Sequence, residues 1–114
     1  METKIINLPT EKIADWDSFH DVFSETFGFP DYYGRNMDAW NDCMSSINSS
    51  ENGMCRFTIP RGDLLTIKIE NVADFKASCP EQYKALLECV AFVNYSRVEI
   101  GDAPILALML IGYY

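Results

Sequence analysis

The sequence predicts a small α/β fold: one three-stranded, mainly parallel sheet packed with three to four helices. Three observations predict it. Short apolar runs at residues 4–8, 64–70 and 105–111 have the length of strands. Between them lie segments whose apolar residues recur at helical spacing. Strands that alternate with helical stretches pair in parallel through crossovers. With 114 residues, 48% of them hydrophobic and 13% aromatic, the chain suits a single domain over 1–114 with a real core, and is not a disordered segment.

The first strand, KIINL at 4–8, is stopped by Pro9. A helix over 15–27 follows, with Trp16, Phe19, Val22, Phe23 and Phe27 on its core side. Asp15 can cap its start and Gly28 can end it. After a loop at 30–34, Asn36 caps a second helix that runs to about residue 48. At 100° per residue, Met37, Trp40, Cys43, Met44 and Ile47 share one arc. Asp38, Asp42, Ser45, Ser46 and Ser49 fall roughly opposite. Pro60-Arg61-Gly62-Asp63 suits a tight turn, so residues 54–59 are a candidate extra strand in a hairpin with 64–70. Residues 72–77 form a short helical turn. Ser78-Cys79-Pro80-Glu81 has the form of a capping box with proline in the first turn. The next helix carries Tyr83, Leu86, Leu87, Val90 and Val93 on one face and runs to about residue 96. The nearly all-apolar ILALMLI at 105–111 reads as a central parallel strand covered on both faces.

Charge narrows the partners. The net charge is −8, and residues 1–51 hold ten acids against three bases, a net of −7. Nucleic acid and anionic membrane are poor partners for such a surface, and a basic protein is a good one. The longest apolar run is too short to span a membrane. Cys43, Cys55, Cys79 and Cys89 include no CxxC pair, and His20 is the single histidine, so a zinc site is not expected. No export signal is recognisable, which points to four reduced thiols and a cytoplasmic setting. There is no GxGxxG, GxSxG or P-loop, and no cofactor is expected.

The stretch FPDYYGRNMDAWNDC at 29–43 carries the densest signal. Asp38 and Asp42 lie one turn apart on one helix face, where like charges cost the isolated helix about 0.2–0.5 kcal/mol. Catalytic carboxylates need a cleft and unequal environments, and an open helix face offers neither. No oxygen-rich loop of the DxDxDG kind makes them calcium ligands. An acid pair on a helix is ordinarily just a solvated face. Here Tyr32 and Tyr33 adjoin it and read as exposed, and aromatics ringed by acids suit a protein interface. The candidate partner-binding set is Tyr32, Tyr33, Gly34, Arg35, Asn36, Asp38, Asn41, Asp42 and Ser45. His20 reads as a surface histidine with no nucleophile at a recognisable spacing.

At this motif the chain resembles the barstar family of intracellular ribonuclease inhibitors. Pro30, Tyr32, Tyr33, Gly34, Asn36, Asp38, Ala39, Asp42 and Cys43 follow the family's P-x-YYG-x-N-x-DA-x-x-DC. The resemblance implies a three-stranded parallel sheet with helices and a non-enzymatic inhibitor; the free chain is expected to be monomeric. Such a protein binds a basic ribonuclease or toxin nuclease domain one to one. It implies that Tyr32, Asp38 and Asp42 enter the nuclease active site, Asp42 in the phosphate pocket, while Gly34 and Asn36 shape the loop. The chain departs from the family at Arg35, where an acid is common, and at Asn41, where a tryptophan is known. Asn94 falls near a contact glutamate of a later helix, and residues 49–63 look like an insertion. Two other readings stand beside this one. One is an acidic adaptor that binds a basic protein without inhibiting a nuclease. The other is a small hydrolase using the aspartates.

Overall fold

The computed structural model describes residues 2–48, 55–56 and 58–112. The order of elements is β1 (Thr3–Asn7), a single 3-10 turn (Thr10–Lys12), α1 (Trp16–Phe27), α2 (Met37–Ser45), β2 (Leu64–Ile69), α3 (Val72–Ser78), α4 (Pro80–Glu99) and β3 (Leu106–Leu110). The strands form one parallel sheet in the order β1-β2-β3. Thr3 stands opposite Leu64 at one end of the β1–β2 pair, and Leu65 opposite Leu106 at the start of the β2–β3 pair. The α/β class, the parallel sheet and the four helices agree with the sequence.

β2, not the last strand, is central. Its Leu65, Ile67 and Ile69 are fully buried, and across the β3 register they face Leu106, Leu108 and Leu110. The opposite face carries Thr66, Lys68 and the exposed Ile5 and Met109. β3 is thus an edge strand with one face largely open. A nearly all-apolar run reads as a doubly covered strand, but strand order is a tertiary property that no local pattern reports. The hairpin of 54–59 with β2 does not form, because both edges of β2 are taken by parallel neighbours. Met54 and Phe57 lie outside the described residues, and the described part of 54–59 contains no strand. The turn before β2 does form. Asp63 N–H donates to Pro60 O at 3.0 Å, and Gly62 holds φ +92°.

Local chemistry sets the helix ends. Asp15 accepts from Ser18 N–H at 2.9 Å, and the Ser18 hydroxyl returns to the Asp15 backbone, a reciprocal cap for α1. Gly28 closes α1 at φ +69°. A side chain there would be strained, and its Cβ would come within 2.7 Å of Arg56 Cβ. Arg56 in turn donates to Thr26 O at 2.7 Å and to Glu25 O, placing a cation on the carbonyl end of α1. The described part of the 49–63 stretch is therefore tied to α1. The capping box expected at 78–81 is absent: Cys79 is the N-cap and makes no side-chain cap bond, although Pro80 does occupy the first turn. α2 ends three residues earlier than expected and α4 three later.

Aromatic residues bind the layers. Phe19, Phe23, Phe27 and Trp40 are fully buried, and Phe23 meets Trp40 edge to face at 5.6 Å. On α4, Tyr83, Leu86, Val90 and Val93 are buried as expected, whereas Leu87 is exposed. The buried face continues to Arg97, one step beyond Val93 at helical spacing.

Candidate functional site

The site begins at the N-terminus of α2. Asn36 Oδ1 accepts from Ala39 N–H at 2.8 Å, and its Nδ2 lies 3.4 Å from Gly34 O. That cap fixes the start of the helix and so the direction of its outer face. Asp38 and Asp42 are both exposed on this face, while Trp40, Cys43 and Met44 point into the core. Among the described residues neither aspartate makes an ion pair.

The loop before α2 splits its two tyrosines. Tyr32 is 76% exposed. Tyr33 is buried, and this corrects the expectation that both present their rings to solvent. Its N–H closes a turn to Pro30 O at 2.9 Å, and its ring lies 4.7 Å from that of Phe29. Its hydroxyl sits 2.6 Å from His20 Nδ1. His20 is therefore no surface histidine. It is buried, stacked on Trp16 at 5.9 Å. Alternating turn and helix residues look equally polar in sequence, and only packing shows that this polar pair satisfies itself inside.

Burial holds the His20 imidazole below its ordinary pKa, the Arg35 cation adds to this, and Asp17 and Asp21 oppose it. Burial likewise pushes the Tyr33 hydroxyl up. The fold therefore favours neutral His20. The unfolded chain takes up its proton near pH 6.5, the folded chain only at lower pH. Stability from this group is complete above about pH 6.5 and is lost as pH falls through the folded value. Urea midpoints measured from pH 7.5 down to 5 should decline, and His20→Gln should flatten that decline. An unchanged slope in the variant would remove His20 from the account. Asp15 and Asp102, both lowered by hydrogen bonds, act in a separate window at and below the ordinary carboxylate range.

Arg35, not Gly34, takes the left-handed backbone in this loop, at φ +55°. Its guanidinium donates to Asp21 Oδ1 at 2.9 Å and to Asp17 O at 2.9 Å. The positive charge next to the site is thus spent on α1, and it ties the tyrosine loop to that helix. Such a strained conformation costs about 1 kcal/mol or more outside glycine and is held by surrounding contacts.

These restraints bring Tyr32 and Asp42 together. A cleft of about 160 Å³ is lined by Pro30, Tyr32, Tyr33, Gly34 and Ala39 together with Asp42 and Cys43. Burial and the nearby Asp42 raise the Cys43 thiol to about 11, so it is no nucleophile at neutral pH. Ser45 is half-buried, its hydroxyl 3.3 Å from Asp42 O, and its own carbonyl accepts from Arg97. Asn41 is partly buried against α4, where its side chain reaches the Cys89 sulfur.

The family model for barstar, described as the barnase inhibitor, matches residues 3–102. The chain belongs to the barstar family. The family is one of ribonuclease inhibitors rather than enzymes. A search of curated proteins found no match.

Within this barstar-family fold, Asn94 serves the sheet. Its Oδ1 accepts from Ile105 N–H and Leu106 N–H at 3.0 Å each, and its Nδ2 donates to Leu106 O at 2.9 Å. Arg97 is the residue that sequence reasoning missed. Buried, it donates to Ala103 O at 2.9 Å and to Ser45 O at 3.1 Å, joining α4 to the end of the acidic helix. Its position four residues beyond Val93, in line with the apolar face of α4, was the available signal. All four cysteines are thiols, and no three His, Cys, Asp or Glu residues converge as a metal site among the described residues. Among those residues no helix is long and apolar enough to cross a membrane.

Proposed function

We propose that this protein inhibits a basic ribonuclease, of the barnase type or a related toxin domain, by occupying its active site in a one-to-one complex. The observation that carries the reading is the shared cleft of Tyr32 and Asp42, beside the exposed Asp38. Two carboxylates without ion pairs among the described residues are available to stand in for RNA phosphates. They would meet the arginine and histidine side chains that a ribonuclease uses on phosphate. Tyr32 supplies a rigid ring beside them, the kind of amphipathic contact enriched at interfaces. Gly34, Asn36 and Tyr33 hold the loop, while Asn41 and Ser45 border the acidic face. The chain carries out no catalysis and uses no cofactor, and it acts in the cytoplasm of the cell that makes the nuclease. The charge of −7 over residues 1–51 favours capture of a basic partner. Cleavage of RNA by a basic ribonuclease, measured with and without the protein, tests the reading. Binding without loss of cleavage would make the chain an adaptor instead.

A further inference from the structure

α4 exposes an apolar stripe on its outer side. Of the nine large apolar side chains exposed among the described residues, five lie on this helix or at its end: Leu87, Phe92, Tyr95, Val98 and Ile100. At 100° per residue, Lys84, Leu87, Ala91, Tyr95 and Val98 share an arc of about 80°, and all five are exposed. Phe92, Val93 and Ser96, which line a cleft shared with α2, are centred about 150° away around the helix. We propose that the stripe joins two copies of this chain, their α4 helices antiparallel across a two-fold axis at Ala91.

The stripe is complementary to itself. Its residues recur at three- and four-residue steps, the seam along which two helices pack at a shallow angle. Ala91, the smallest of them, stands at the midpoint, where each copy meets its own counterpart and the backbones must come closest. Across that axis Leu87 of one copy comes level with Tyr95 of the other, and Lys84 comes within one residue of Glu99. Lys84 and Glu99 lie toward the same flank of the stripe, so the two-fold brings opposite charges together twice. Glu99 makes no ion pair among the described residues. It ends α4, where the helix dipole disfavours an anion, and its carboxylate accepts from the Tyr95 hydroxyl at 2.7 Å. Lys84 has only a loose, exposed pair with Glu88 at 3.9 Å on its own helix. Charge selects the occupant. Residues 52–114 hold seven acids and six bases, a net of −1 against −7 for residues 1–51, so this is the half of the chain where two copies repel least. An unrelated apolar helix would cover Leu87, Ala91 and Val98 but leave Lys84 and Glu99 unmatched. Tyr32, Asp38 and Asp42 take no part, so the pairing does not depend on the inhibitor reading.

Sedimentation velocity on the full chain, in reducing buffer, tests the pairing. A dimer should grow in over about 10 µM to 1 mM, the range of a small transient interface, with the expected monomer below it. Ala91→Glu sets two like charges at the axis and should abolish the dimer. Its urea midpoint, measured on the dilute monomer, should match the parent's, because position 91 faces solvent in the single chain. Lys84→Glu and Glu99→Lys should each raise the dimer Kd about tenfold, since each reversal acts at two places in a two-fold pair. The double reversal should return to within about threefold of the parent, which a merely structural role for either residue would not produce. A monomer at every concentration, a dimer that survives Ala91→Glu, or a double reversal no tighter than the single ones would overturn the proposal.

Discussion

Asp42→Asn should cost the complex with a ribonuclease about 3–5 kcal/mol, the range expected when one partner of a buried charge pair is removed and the other is stranded. That corresponds to a weakening of about a hundredfold or more. The same change should leave the free protein as stable as before, or better by a few tenths of a kcal/mol. Asp42 is exposed, makes no ion pair among the described residues, and stands one turn from the like charge of Asp38. Asp38→Asn should also weaken binding, but with less gain in stability, because Asp38 lies in the first turn of α2 and loses its favourable interaction with the helix dipole. Paired urea melts and binding titrations separate the two effects. A less stable Asp42→Asn variant with unchanged binding would make the aspartate structural.

Asn94→Ala should do the reverse. Three hydrogen bonds hold the start of β3 to this one side chain. Its removal leaves two N–H groups and a carbonyl short of partners in a half-buried setting. The expected loss of stability is about 2–4 kcal/mol, since each unsatisfied buried group costs about 1–3 kcal/mol and water can reach part of this site. The urea midpoint should fall accordingly, with the slope unchanged. Ribonuclease binding measured well below that midpoint should change little. A normal midpoint with lost binding would instead make Asn94 a contact residue.

The contrast between these two residues shows what the sequence could and could not convey. Caps are local, so Asp15, Gly28 and Asn36 were legible: each satisfies backbone groups within four residues. The outward placement of Asp38 and Asp42 was legible too, because Trp40, Cys43 and Met44 fix the inward face of α2 by spacing alone. Polar residues that serve distant backbone were not. Asn94 sits eleven and twelve residues from its partners and Arg97 fifty-two from Ser45, so each reads locally as an exposed polar position. Tyr33 and His20 are illegible for the same reason, since each alone is a surface residue type and their mutual hydrogen bond is what satisfies them in the interior. Strand order was beyond reach, because β2 and β3 carry similar apolar patterns and only the sheet decides which has neighbours on both sides.

The site follows from those same parts. The Asn36 cap aims the acidic face, the buried Tyr33–His20 pair and the Arg35 tether fix the loop, and Tyr32 is left standing beside Asp42. Steady-state RNA cleavage by barnase, titrated with this protein at nuclease concentrations well above the expected Kd, tests the inhibitor role most directly. Activity should fall linearly and reach zero at one equivalent, and Asp42→Asn should abolish the sharp endpoint. Full cleavage in the presence of excess protein, for barnase and for the basic ribonucleases related to it, would contradict the account.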